Sequence, residues 1–207
     1  MTTRLYYAPR TRAFTALWLL EELGQPYELE SFAIEDGRHK KADYLALNPM
    51  GKVPLVVHDE VPVSETGAIA LYLADRFGSD LAPKLDDKER PAFLRWMFFA
   101  GSVTEPAFGE KFFKWDVPAS SVAWGSFADM ERMLTESITP GPWLLGERFT
   151  VADVVVGASA RFGIMFGAFE KEGAIADYVS RLTQREAFKR AEAVEARESE
   201  RFPRPQN

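Results

Sequence analysis

Short apolar runs alternate with helical patterns through the first third of the chain. "RLYY", residues 4–7, reads as a strand. "RAFTALWLLEEL", residues 12–23, is apolar on several sides and ends at Gly24 with Pro26 beyond, so it reads as a helix packed on a sheet. "PYELESFAI", residues 26–34, alternates, with Tyr27, Leu29 and Ser31 on one side and Glu28, Glu30 and Phe32 on the other, as a second strand does. "HKKADYLALN", residues 39–48, is a short polar helix stopped by Asn48-Pro49. "VPLVVH" and "VPV" are two strands around a tight turn at Asp59-Glu60. "ETGAIALYLADRF" follows as a helix with Ile69, Tyr72 and Leu73 on one face, closed by Gly78. The order is βαβαββα. The first two strands flank a helix, as in a parallel unit, and the last two are too close for a crossover, so they pair antiparallel.

The rhythm changes after "GSDLAPKLDD", residues 78–87, which reads as a linker. Beyond it the patterns are helical. A first domain over residues 1–78 and an all-helical second domain over 87–207 are therefore expected. Residues 88–115 form one long helical segment expected to bend near Gly101 or Pro106. Further helical segments cover 121–138 and 149–166, separated by the loop "TPGPWLLGE", and two shorter ones lie within 172–196, before a frayed tail. In "RFTVAD", Thr150 and Asp153 have the spacing of a capping box, and Phe149 and Val154 that of a hydrophobic staple.

Composition narrows the chemistry. The 207 residues are 46% hydrophobic and 27% charged, with a net charge of −6 and both signs interspersed. A nucleic-acid binder would need a basic stripe. No apolar run reaches the roughly 18 residues that a membrane span requires, and the first residues lack an apolar signal core, so the cytoplasm is the expected compartment. The chain has no cysteine, which excludes thiolate metal sites and an enzyme thiol nucleophile. His39 and His58 are the only histidines, too few for a multi-histidine metal site, so no metal is expected.

Two features conflict with a purely structural role. Pro54 sits in an apolar strand pattern although it cannot donate a ladder hydrogen bond. A cis Val53–Pro54 bond would turn the chain there and leave the Val53 backbone to pair with an added peptide strand. Glu65-Thr66 opens a helix, where free N–H groups and the positive dipole end suit a carboxylate while Glu65 offers an anion to an ammonium. An amino acid's α-carboxylate and α-amine would fit this pair. Together the features describe a site for a short peptide with a free amino-acid end.

The element order, "NPMGKVPLV", "SETGAIALYLADRF" and "FTVADVVV" resemble the cytosolic glutathione transferase family, of theta-like or bacterial type. The resemblance runs over nearly the whole chain. It implies a thioredoxin-like N-terminal domain, an all-helical C-terminal domain, a homodimer, and glutathione as co-substrate. By resemblance, Val53 would pair with the cysteinyl backbone of glutathione across a cis Pro54, and Glu65 and Thr66 would hold its γ-glutamyl end. Lys52 and His39 would meet its glycine carboxylate, with Lys40 as a substitute for His39. The thiol-activating hydroxyl would be Thr11, placed just before an Arg-Ala pair, or Tyr7, placed two residues before Pro9. Arg12 stands where beta-like relatives carry cysteine, which removes a mixed-disulfide mechanism. An apolar electrophile would sit against the first long helix of the second domain, near Trp96, Phe99, Val103 and Phe108.

Three readings follow. The first is a glutathione S-transferase acting on an apolar electrophile. The second is a glutathione-dependent peroxidase, isomerase or dehalogenase on the same site. The third is a non-enzymatic binding module on the same scaffold.

Overall fold

The computed structural model describes residues 2–77 and 80–204. β1 (Thr3–Tyr7), β2 (Glu28–Ser31), β3 (Leu55–His58) and β4 (Val61–Ser64) form one sheet in the order β2-β1-β3-β4. β1 runs parallel to β2 and antiparallel to β3, and β3 and β4 form the antiparallel hairpin that the short connection requires. Asp59 and Glu60 both take positive φ, 46° and 67°, the conformation of a two-residue hairpin turn that matches strand twist. Pro62 is tolerated because β4 is an edge strand. Pro54 lies just before β3 rather than inside it, and the Val53–Pro54 peptide is cis.

α1 (Ala13–Leu23) carries the chain from β1 to β2, and Gly24 closes it at φ 62° with its N–H on the Glu21 carbonyl. β2 is shorter than its apolar pattern. Residues 34–40 instead form two 3-10 turns, Ile34–Asp36 and Arg38–Lys40, divided by Gly37 at φ 65°. α2 is consequently only Ala42–Leu47, and His39 sits on a 3-10 turn before it, not on the expected helix. α3 is Thr66–Arg76. Its expected closure at Gly78 lies outside the described residues. One sheet face buries Tyr6, Ala8, Phe32 and Leu55 with Tyr44 of α2. Leu5, Tyr7 and Val56, also buried, alternate to the other face.

The remaining elements are α4 (Arg90–Phe99), a π-helical turn (Ala100–Thr104), α5 (Glu105–Phe113), α6 (Phe127–Ile138), α7 (Val151–Met165), α8 (Ala174–Thr183) and α9 (Glu186–Arg201). The expected bend at Gly101 or Pro106 takes the form of the π turn. Pro106 stands at the start of α5, directly after the π turn, where the ladder is already irregular. α6 starts later than its pattern, because Gly125 at φ 73° interrupts the chain and Ser126 caps the helix by accepting from the Asp129 N–H at 3.1 Å.

Two compact units result, Met1–Leu73 with Arg185–Asn207, and Ala74–Gln184. The expected second domain ran to residue 207. Instead α9 joins the first unit. Phe188 packs edge-on to Phe14 and Trp18 of α1, and Arg185 and Arg190 bind Glu22 and Glu21 at 2.7 Å. In the second unit, Thr150 and Asp153 form the expected capping box of α7. Asp153 is buried and also accepts from the Leu144 N–H at 2.9 Å and the Tyr178 hydroxyl at 3.0 Å.

Candidate active site

The loop between α2 and β3 is built around Asn48, which is 2% exposed. Its amide donates to the Lys52 carbonyl at 2.9 Å, and the Tyr44 hydroxyl donates to the same carbonyl at 2.6 Å. The Asn48 side-chain oxygen accepts from the Met50 N–H at 3.2 Å, and its carbonyl from the Gly51 N–H at 2.8 Å. Gly51 is held at φ 56°, and a Cβ there would meet the His39 carbonyl oxygen at 2.7 Å. Only glycine fits both demands. The peptide that precedes Val53 is thus fixed from two sides. Asn48 and Tyr44 were not among the sequence-derived site residues. The buried Asn-Pro turn of "NPMGK" was their only signal.

Across the hairpin, the last registered pair is Leu55 with Ser64. The next positions are Pro54 and Glu65. Glu65 takes φ 68° and its carbonyl accepts the Ile69 N–H at 2.9 Å, so it is the N-cap of α3 in a left-handed conformation. A non-glycine residue in that region costs about 1–3 kcal/mol, and such strain clusters at functional sites. Glu65 is exposed and Thr66 half-buried, so both can be reached from solvent.

A basic group lies on the 34–52 segment. Lys40 donates to the Met50 carbonyl at 3.2 Å, Lys52 is exposed, and His39 stacks on Phe32 at 6.4 Å. The Nδ1 atom of His39 is buried without a hydrogen-bond partner. Burial, then the charges of Lys40 and Lys52, hold its pKa below the usual histidine value. Two cations and an unmatched imidazole nitrogen make this a place for an anion.

The loop from β1 to α1 holds the expected hydroxyls. Thr11 donates to the Ala8 carbonyl at 2.7 Å and accepts from the Ala13 N–H at 3.1 Å. To serve a thiolate, its proton must leave the Ala8 carbonyl. Tyr7 is fully buried and donates to Glu195 on α9. Its proton is committed inside the unit.

The expected electrophile residues lie in the second unit. Trp96 is 1% exposed and packs on Phe99 at 4.8 Å, and Phe108 packs on Phe169 at 5.5 Å. These three are interior side chains of that unit, because their helical spacing faces its core. Val103, in the π turn, is half-buried. The exposed aromatics of this stretch are instead Phe98, Phe112, Phe113 and Trp115. Among the described residues, no group of three or more acidic or histidine side chains could hold a metal ion.

Residues 1–75 match the family model described as glutathione S-transferase, N-terminal domain. A crystal structure of a glutathione transferase from Methylococcus capsulatus is 27% identical, with a TM-score of 0.77, covering 94% of this chain and 99% of its own. Residues 1–75 thus carry the N-terminal domain of the glutathione S-transferase family, and the whole chain is similar in fold to solved glutathione transferases. A sphingomonad glutathione S-transferase solved with glutathione is 25% identical, with a TM-score of 0.75 over 93% of this chain and 98% of its own. An uncharacterized GST-like protein of Streptococcus mutans is 29% identical over 199 residues, 85% of this chain and 74% of its own length. The sheet and the helices behind it are the thioredoxin-like half of this transferase fold. No described helix is long and apolar enough to cross a membrane.

Proposed function

We propose that this protein binds glutathione at the end of the β3–β4 hairpin and activates its thiol for attack on an apolar electrophile. The observation that carries the reading is Glu65, an exposed acid held left-handed at the start of α3 and one register step beyond the Leu55–Ser64 pair. Glu65 meets the γ-glutamyl ammonium and Thr66 with the α3 N-terminus meets its carboxylate. Val53, beside Pro54, pairs with the cysteinyl backbone. Lys52 and His39 meet the glycine carboxylate, and the unpartnered His39 Nδ1 gives that anion a buried donor.

Thr11 is the hydroxyl proposed for the thiol. A free thiol has a pKa near 8.5, and lowering it by two units takes about 2.7 kcal/mol of preference for the anion. A hydrogen bond to a charged group supplies about 1.5–3 kcal/mol. The thiolate then forms the carbon–sulfur bond as the electrophile's leaving group departs with its electron pair, and the thiol proton passes to solvent. With no cysteine in the chain, glutathione supplies the only thiol. The active form is a two-fold homodimer, acting in detoxification in the cytoplasm.

Calorimetry with glutathione, followed by turnover of an activated aryl halide, tests the reading. Binding with conjugation supports it. Binding with turnover of a hydroperoxide alone replaces transfer by peroxidase chemistry, and no binding leaves a scaffold with another role. Light scattering that gives a monomer at micromolar concentration removes the dimer.

A further inference from the structure

α9 faces the first unit with residues 188, 191, 195 and 198, the spacing of one helical face. Phe188 and Ala191 are apolar and buried, but Glu195 and Glu198 are acids. An acid on a packed face is costly unless it is hydrogen-bonded. Glu198 is matched by Ser31 at 2.6 Å and by Arg197 at 3.0 Å, and it lies 3.5 Å from Arg201. Glu195 differs. Among the described residues its hydrogen-bond partners are neutral: one oxygen accepts the Tyr7 hydroxyl, and the other accepts the Arg10 N–H at 2.7 Å.

Arg10 is itself unusual. It sits at φ 60° between Pro9 and Thr11, in the region that favours glycine. Its guanidinium donates to the Ser199 carbonyl at 3.2 Å and the Phe202 carbonyl at 2.5 Å, at the end of α9. The left-handed residue is therefore clamped through both its main chain and its side chain by one helix. The next residue is Thr11, whose hydroxyl ties Ala8 to Ala13 across the same loop.

The geometry points to Glu195 as the positioning residue of the β1–α1 loop: by holding the Arg10 N–H and the Tyr7 hydroxyl together, it sets the conformation in which Thr11 is presented to the glutathione sulfur. This rests on the thiol site proposed above. Glu195 touches neither glutathione nor the electrophile. It acts through backbone geometry, so what matters is an acceptor for Arg10 and a partner for Tyr7, not the charge. Glutamine provides both, since its oxygen accepts from Arg10 and its amide group donates to the Tyr7 oxygen. Alanine provides neither.

Two measurements on the full chain test the assignment. The first is amide hydrogen exchange without ligand. Glu195→Ala should speed exchange at Arg10, Thr11 and Ala13 by about tenfold or more, while Leu5 and Val56 in the sheet stay within about twofold. Glu195→Gln should restore most of the protection. The second is ultraviolet titration of the thiolate of bound glutathione. Glu195→Ala should raise that pKa by about one unit and lower kcat more than it raises KM, with Gln again restoring both. Unchanged loop amides in Glu195→Ala overturn the proposal. So does equal acceleration of the sheet amides, which marks a merely structural contact. A loosened loop with an unmoved thiol pKa also overturns it, and a Gln variant as impaired as Ala assigns the effect to charge instead. Failure of the unaltered protein to bind glutathione defeats the thiol site proposed above and, with it, the presentation of Thr11 to sulfur. The exchange experiment then still decides whether Glu195 holds the loop.

Discussion

Leu55 and Ser64 face each other as the outermost registered pair of the β3–β4 hairpin. That register places Pro54 and Glu65, eleven positions apart in the chain, at one end of the sheet. The turn at Asp59-Glu60 sets it, since antiparallel register is fixed by loop length and turn type. A one-residue slip would carry Glu65 away from Val53 and Pro54.

Glu65→Gly should separate stability from binding. Glycine takes φ 68° without the Cβ penalty, so the variant should be about 0.5–1 kcal/mol more stable to urea. It should also bind glutathione more weakly by about 1.5–3 kcal/mol, the worth of a hydrogen bond to a charged group. Thr66→Ala should weaken binding in the same direction. Calorimetry showing unchanged affinity in both variants would falsify the assignment of the γ-glutamyl end.

Thr11→Ala should raise the pKa of bound glutathione thiol and lower turnover with affinity largely retained, because the bond favours the anion over the thiol. Thr11→Ser should keep most of the activity. Tyr7→Phe should raise the thiol pKa less than Thr11→Ala does, since the Tyr7 proton belongs to Glu195 and bears on the sulfur only through the loop. A shift confined to Tyr7→Phe would move the role to Tyr7.

His39 should report the glycine carboxylate. In the free protein burial and two lysines hold its pKa low, so it is neutral near pH 7. A bound carboxylate favours the imidazolium and raises that pKa. The complex then takes up a proton as pH falls, and affinity rises on the acid side. With only two histidines in the chain, proton NMR resolves the titration directly. A His39 resonance with the same midpoint with and without glutathione would remove His39 from the site.

Asp153 should make stability depend on pH in a stated direction. Burial pushes its carboxyl up to about 6, against four hydrogen-bond donors from Leu144, Thr150 and Tyr178. The folded pKa lies above the unfolded value near 3.9, so the folded protein takes up the proton first. The stabilisation is full below the unfolded value and is lost as pH rises through about 6. Between pH 7 and pH 4 this group should therefore favour the folded state by about 2 kcal/mol more at the acid end. Carbon-13 titration of the carboxyl reads the pKa, and urea midpoints of the unaltered protein and Asp153→Asn read the linkage. A midpoint below 4 would mean that the four donors outweigh burial.

Local signals determined much of this protein. Alternation and helical spacing marked the strands, the hairpin and α1, because period and breakers act over a few residues. "TVAD" announced the α7 cap, since a capping box is complete within four positions. Pro54 and Glu65-Thr66 stood out because each conflicts with its own surroundings. The left-handed backbone of Glu65 was not legible, since it depends on how the hairpin enters α3. Helical spacing showed that Trp96, Phe99 and Phe108 share the apolar character of a buried face, but an aromatic at that spacing looks the same in a core and in a pocket. The pattern at 188, 191, 195 and 198 defines a face of α9 without saying what covers it, and tertiary contacts such as Phe188 on α1 and Arg185 on Glu22 draw that helix to the first unit. Tyr7 likewise carries one hydroxyl proton, and whether a sulfur or Glu195 receives it was decided by a residue 188 positions away.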